Sequence, residues 1–220
     1  YTVACLTRGG RGIEEGAVAP ELASRMVAIP CDVTDDKSIV LALAKAAQQP
    51  GGLRGLINSA GLHGTAPSAQ LGATELRTML EINTIGLFVT CREAYPHFKA
   101  RGDGMIVNLG SFFDRMGVPR NLAYAASKAA VGAVTRCLAV EWAKDHITVI
   151  NVAPGYIETD LNREFLSKPS VQNYLIPRIP MGRTGKPDEI ARFVAALFDE
   201  DMAFMTGETV YIDGAQTIAH

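Results

Sequence analysis

The sequence predicts a single α/β domain built on a doubly wound parallel sheet. Three observations carry that prediction. Short apolar, β-branched runs alternate with longer segments of helical period along the whole chain. Most of those runs are apolar at every position, as strands are when helices cover both faces of a parallel sheet. No linker, internal repeat or low-complexity tract divides the 220 residues, a length that suits one domain with a sizeable core.

The strands are expected at 2–7 (TVACLT), 26–30 (MVAIP), 55–58 (GLIN), 105–110 (MIVNLG), 147–152 (ITVINV) and 209–213 (TVYID). Helices are expected near 35–49, 74–101, 123–145 and 187–199. Start signals mark several of them: DDKS at 35–38, GATEL at 72–76 and GKPDE at 185–189, where Pro187 suits a first helical turn. Right-handed crossovers put the helices on both faces of such a sheet, and ligands bind beyond the carboxyl ends of its strands. The loops that matter are therefore 8–11, 31–34, 59–67, 110–122 and 153–165.

Composition narrows the function classes. Hydrophobic residues make up 48%, which predicts a packed globule. Lys and Arg number 21 against 23 Asp and Glu, for a net charge of −2. That balance points away from nucleic acid and from an anionic membrane surface. No apolar run approaches the ~20 residues needed to span a bilayer. Cys5, Cys31, Cys91 and Cys137 have no short spacing between any two, which argues against zinc ligation and a disulfide framework. They read as reduced thiols in a cytoplasmic protein, with no metal site expected.

The chemistry concentrates in SFFDRMGVPRNLAYAASKAA, residues 111–130. Tyr124 and Lys128 are four positions apart in a run of small residues. On a helix they share one face, one turn apart. A free phenol has a pKa of roughly 10, too high for efficient proton exchange near neutrality. A nearby ammonium favours the phenolate and lowers that value. Ser111, at the end of a strand, lies thirteen residues before the tyrosine.

Six segments then make a resemblance specific: NSAG (58–61), EIN (81–83), IVNLGS (106–111), YAASK (124–128), INVAPGYIETD (150–160) and MTGETVYIDG (205–214). In order and spacing the chain resembles the classical short-chain dehydrogenase/reductase family, in its 3-oxoacyl-reductase-like branch, over essentially its whole length. The resemblance implies a Rossmann-like fold and hydride transfer between NADP(H) and a carbonyl or alcohol substrate. It gives Tyr124 the role of general acid/base. Lys128 would lower the phenol's pKa and hold the nicotinamide ribose. Ser111 would stabilise the substrate oxygen, and Asn83 would hold a water that links Lys128 to solvent.

The same resemblance assigns the cofactor contacts. Arg8 follows the first strand with no acid beside it, which favours the 2′-phosphate of NADP(H) over the 2′-OH of NAD(H); Arg11 would assist. Asp32 would bind the adenine amino group, with Val33 packed on the ring. Asn58 would tie strands together, and Ala60 and Gly61 would let backbone approach the cofactor; Ser59 stands where many relatives carry a second Asn. Pro154 and Gly155 turn the chain, and Ile157 and Thr159 would meet the nicotinamide carboxamide.

The family's first strand and its T-G-x-x-x-G-x-G loop are absent from this sequence. The glycines of RGGRG (8–12) follow what matches strand two. The alignment implies roughly 30 further residues ahead of Tyr1, about one βα unit. Three explanations stand: residues that exist in the molecule ahead of this sequence, a truncated protein that binds dinucleotide poorly, or another segment in the strand's place. The first is favoured, because an omitted central strand would leave two unpaired backbone edges.

Residues 161–186 resemble the family's substrate lid. Phe112 and Phe113 are expected either to wall an apolar pocket with Leu62 and Tyr156 or to pack in the core, and His63 to face the entrance or solvent. The helices at 74–101 and 123–145, and the C-terminal stretch 209–220, match subunit contacts in relatives, which implies a homotetramer. The specific substrate expectation is a 3-oxoacyl thioester or a related small ketone, and a polyol, sugar acid or steroid would fit the same site. The rival expectation is a catalytically silent structural subunit that does not bind dinucleotide.

Overall fold

A computed structural model describes residues 1–12, 18–159, 162–200 and 202–219. Its six strands are all parallel: β1 (Val3–Thr7), β2 (Met26–Pro30), β3 (Gly55–Asn58), β4 (Gly104–Leu109), β5 (Ile147–Pro154) and β6 (Thr209–Ile212). They form two hydrogen-bonded groups, β2-β1 and β3-β4-β5-β6. No ladder joins β1 to β3 among the described residues.

The helices are α1 (Pro20–Ala23), α2 (Asp36–Ala47), α3 (Ala73–Leu80), α4 (Gly86–Arg101), α5 (Leu122–Trp142), α6 (Arg163–Leu166), α7 (Pro169–Leu175) and α8 (Pro187–Asp199). The expected start signals work through side-chain caps. Asp35 accepts from Lys37 N at 3.0 Å, Glu75 from Gly72 N at 2.8 Å, and Glu189 from Lys186 N at 2.8 Å. Each cap satisfies a backbone donor that the helix itself leaves free. The helix expected at 74–101 is present, with a π turn at Glu81–Ile85 where α3 passes into α4.

The strand alternation sorts side chains onto the two faces. On one face, Ile106, Ile147 and Val149 pack with Ile39 and Leu43 of α2, with Cys91, Ala94 and Phe98 of α4, and with Val131 and Leu138 of α5. On the other, Val107, Ile150 and Val152 pack with Val194 and Leu197 of α8. These are the two layers of a doubly wound sheet.

A row of amides crosses the sheet near the carboxyl ends of its strands. Asn58, Asn108 and Asn151 are register partners, and Thr209 continues the row on β6. Asn58 Nδ2 donates to Asn108 Oδ1 at 2.9 Å, and Asn108 Nδ2 donates to Thr135 of α5 at 2.9 Å. Asn58 thus ties β3 to β4, and Asn108 ties the sheet to the helix that carries Tyr124 and Lys128. Buried amides of this kind are costly unless paired. Asn151 donates to Thr209 at 3.1 Å, while its Oδ1 is buried without a protein partner.

Candidate active site

Ser111 leaves the carboxyl end of β4 in extended conformation, and its hydroxyl accepts from Phe113 N at 3.3 Å, capping a short 3₁₀ turn at Phe112–Asp114. Tyr124 and Lys128 project from the first turns of α5, which lies against β5 and that turn. The phenol ring is held edge-on from two sides, by His63 at 4.7 Å between centroids and by Phe113 at 5.7 Å. Perpendicular contacts of this kind are favoured by the ring quadrupoles. Phe112 and Phe113 are both buried and pack with Tyr156. Leu62 lies apart from them, in a cleft with His63.

Burial raises the pKa of the Tyr124 phenol above its usual value, and the hydrogen bond with Ser111 pulls it back down. Lys128 is buried, and desolvation brings its ammonium down to about 8. It donates to the Leu109 carbonyl at 2.6 Å and stands 5.8 Å from the centroid of the Tyr124 ring. This differs from the expectation that Lys128 acidifies the phenol. The ammonium is engaged by the end of β4, and Ser111 is the neighbour that favours the phenolate.

Asn83 sits in the π turn with no exposure. Its Oδ1 accepts from Leu62 N at 2.7 Å, and its Nδ2 donates to Leu62 O at 2.9 Å and to Ser127 Oγ at 3.0 Å. Ser127 Oγ in turn donates to Tyr124 O at 2.7 Å. The amide side chain is therefore fully occupied in clamping the loop after β3 to the first turn of α5. π turns occur mostly as single insertions within helices, frequently at functional sites. Here the insertion coincides with the inward amide.

The residues expected to hold a dinucleotide stand at the carboxyl ends of the strands. Arg8 follows β1 in an exposed turn, and its charge helps to lower the Asp32 carboxyl. The larger causes of that lowering are the hydrogen bonds from Thr34, whose N and Oγ1 both donate to Asp32 Oδ1, at 2.9 and 2.7 Å. Val33 lies so close to α4 that a Cβ on Gly86 would come 2.5 Å from its carbonyl oxygen. The RGGRG run is an ordinary turn after β1: Gly10 has φ 63° and rests on Pro30, and Arg11 O accepts from Thr7 Oγ1 at 2.8 Å.

Ala60 and Gly61 are exposed in the loop after β3. A Cβ on Gly61 would lie 3.8 Å from Lys128 Nζ, so a small residue keeps that approach open. Pro154 ends β5, and a Cβ on Gly155 would stand 2.7 Å from Asp213 Cα. Ile157 forms a bridge with Gly185, and Thr159 N donates to Asn162 Oδ1 at 2.7 Å. Leu161, the first residue of the expected lid, lies outside the described residues. From Asn162 the segment folds as α6 and α7.

This donor set fits the two ends of a nicotinamide dinucleotide. Lys128 has three N–H donors and gives one to Leu109. Among the described residues the others have no acceptor, and ribose hydroxyls brought near Gly61 would accept them. Arg8 offers an exposed guanidinium at the adenosine end. Among the described residues, no group of three or more His, Cys, Asp or Glu side chains is placed to hold a metal, and no helix is long and apolar enough to cross a membrane.

Several residues of the site were not singled out by the sequence. Asn108 and Ser127 are two of them, each buried and hydrogen-bonded to a residue of the constellation or its helix. Asn121 is the third, holding the His63 ring through Oδ1 at 2.9 Å. Their only signal was an amide or hydroxyl in an otherwise apolar or small-residue context.

Comparison with known proteins places this geometry. A family described as enoyl-(acyl carrier protein) reductase matches residues 2–217. The chain is 33% identical to 3beta-hydroxysteroid dehydrogenase 1 of Eggerthella lenta, over 94% of this chain and 82% of that protein. It is also 33% identical to a protein of Xanthobacter autotrophicus named inactive 2-(S)-hydroxypropyl-CoM dehydrogenase 2, over 98% of this chain and 94% of that one. The crystal structure of a gluconate 5-dehydrogenase from Burkholderia cenocepacia, in complex with NADP and tartrate, superposes with a TM-score of 0.88. That alignment covers 100% of this chain and 86% of the other, at 27% identity. With the family matched from end to end, and serine, tyrosine and lysine converging beyond the strand ends, the chain belongs to the short-chain dehydrogenase/reductase family of oxidoreductases.

Proposed function

We propose that this protein reduces a small ketone, or oxidises the matching secondary alcohol, with NADP(H) as coenzyme. The observation that carries this reading is the convergence of Ser111, the Tyr124 phenol and the Lys128 ammonium at the carboxyl end of β4. The coenzyme, when bound, supplies or accepts the hydride. Lys128 and the Gly61 loop hold its ribose, Pro154, Gly155, Ile157 and Thr159 its carboxamide end, and Asp32, Val33 and Arg8 its adenosine end. Asn58 and Asn83 brace the loop between them. Arg8, unopposed by an acid on β1, suits a 2′-phosphate, and the gluconate 5-dehydrogenase neighbour holds NADP.

In the reducing direction, Ser111 and Tyr124 both hydrogen-bond the substrate oxygen. Tyr124 gives its proton to that oxygen as negative charge develops there, and Ser111 stabilises the charge. The raised pKa of Tyr124 keeps the phenol protonated and ready to donate. The Lys128 ammonium, near 8, lies close enough to neutrality to pass a proton to the phenolate afterwards. Residues 162–186 close over the substrate as a lid.

Within the same reading, Ile85 and Phe88 near the start of α4 and Leu122 and Val140 on α5 are exposed apolar residues that suit contacts between subunits of a homotetramer. The four free cysteines suit a cytoplasmic protein. The substrate is a small ketone or a 3-oxoacyl thioester. A second reading, a silent subunit, is favoured by the relative named inactive. Fluorescence titration with NADPH followed by a turnover assay on small ketones separates the two. Binding with ketone-dependent NADPH oxidation is expected; a protein that binds no NADPH belongs to the second reading.

A further inference from the structure

Two neighbours of Tyr124, His63 and Ala123, line a cleft that has no part in the proton transfer described above. The cleft holds about 330 Å³ and lies between the loop after β3, helix α3 and the segment before α5. Its volume sits at the small end for ligand sites. His63, whose ring stands edge-on to Tyr124, and Ala123, the residue before it, form its inner end. Leu71 and Met79 make an apolar side.

Two charged side chains line this cleft, Glu75 and Arg120. Glu75 is committed: its carboxylate accepts from Gly72 N at 2.8 Å at the start of α3, where a helix N-terminus offsets negative charge. Arg120 is not committed. No hydrogen bond or ion pair joins its guanidinium to any described residue. Its backbone, in contrast, is fixed. Arg120 has φ 69°, a region that costs a side-chain-bearing residue energy, and its carbonyl oxygen accepts from Ala66 N at 2.9 Å across the cleft. A left-handed arginine pinned in the lining of a cleft that His63 and Ala123 share, with its cation unpaired among the described residues, is an arrangement that stability alone does not favour.

The neutral polar groups have a defined sense as well. Asn121 Nδ2 donates to Pro119 O at 2.9 Å, which turns Asn121 Oδ1 toward His63 Nε2. That contact requires the proton on Nε2. Nδ1 is left as the ring's second polar atom beside the cleft that His63 lines.

Resting on the reductase reading above, we infer that this cleft selects substrates bearing a carboxylate: a small oxo acid or hydroxy acid whose carboxylate pairs with Arg120 while its reacting carbon lies at Tyr124. The Arg120 guanidinium meets a carboxylate through two parallel N–H donors. A thioester, uncharged at that end, gains nothing from the cation.

The test compares acetoacetate and levulinate with their methyl esters, using NADPH and the full chain. The acids are expected to be the better substrates. In Arg120→Gln the acid-over-ester ratio of kcat/KM should fall about 10- to 100-fold, the range for a lost hydrogen bond to a charged group, and Arg120→Lys should restore part of it. An unchanged ratio in Arg120→Gln, or a preference of the unaltered chain for the esters, overturns the inference. If no ketone is turned over, the reductase reading fails, and calorimetric titration with levulinate in the absence of coenzyme tests the cleft alone. Binding that Arg120→Gln abolishes then supports the anion site; no binding, or binding that the substitution leaves intact, rejects it.

Discussion

Strands β5 and β1 are both apolar parallel strands, yet seven of the eight residues of β5 are buried and none of β1 is. The difference lies in what surrounds them. β5 is paired on both edges and covered by α5 on one face and α8 on the other. β1 is paired only to β2, and Val3 and nearby Leu22 are exposed. Ile57, on the facing strand β3, is half exposed as well. The reacting groups all belong to the packed half. The residues proposed for the adenosine end, Arg8, Asp32 and Val33, all follow β1 and β2, the thin half. The groups proposed for proton transfer thus sit where these residues pack on both faces of the sheet, and those proposed for the adenosine end where they pack on fewer.

The largest test of this contrast concerns the charge that the packed half buries. Lys128 falls from 10.5 to about 8. Between those values the unfolded chain holds more protons than the folded one, so stability rises with pH across that window. The full shift corresponds to about 3 kcal/mol of destabilisation below pH 8. Denaturant melts should show that rise in the unaltered chain. Lys128→Met should be more stable at neutral pH and should lack this part of the slope; identical slopes in the two proteins would mean that the ammonium is not desolvated.

A smaller effect is expected at the clamp. Asn83→Ala strands the Leu62 amide and carbonyl and should cost about 2 kcal/mol. Amide exchange should speed up at residues 61–63, and turnover should fall with the loosened loop. Unchanged exchange there would remove Asn83 from its positioning role. The smallest effect belongs to the thin half. Arg8→Ala should weaken NADPH binding about tenfold, as for the loss of one exposed phosphate contact, and should leave NADH binding and global stability nearly unchanged. A loss of stability instead would show that this half is better packed than its exposure implies.

Much of this was legible in the chain itself. The i, i+4 spacing placed Tyr124 and Lys128 on one helix face, and the caps at Asp35, Glu75 and Glu189 follow from residue type and offset alone. What was not legible depends on distance in space. The π turn of the 74–101 helix at Glu81–Ile85 is a one-residue slip in hydrogen bonding that no composition signals. Lys128 finds Leu109 rather than the phenol because the end of β4 reaches it first, a consequence of how α5 packs on the sheet. The Asn58–Asn108–Asn151 row needs the strand register, and the relation of Arg120 to Tyr124 needs the fold of the loop between Ser111 and α5.

The most direct test of proton donation by Tyr124 is single-turnover oxidation of bound NADPH by a small ketone, in the unaltered chain and in Tyr124→Phe. The account predicts equal NADPH affinity and a rate about a thousandfold lower in the variant, within the range for loss of a positioned general acid. A variant that binds NADPH equally and keeps its rate would show that the proton comes from elsewhere.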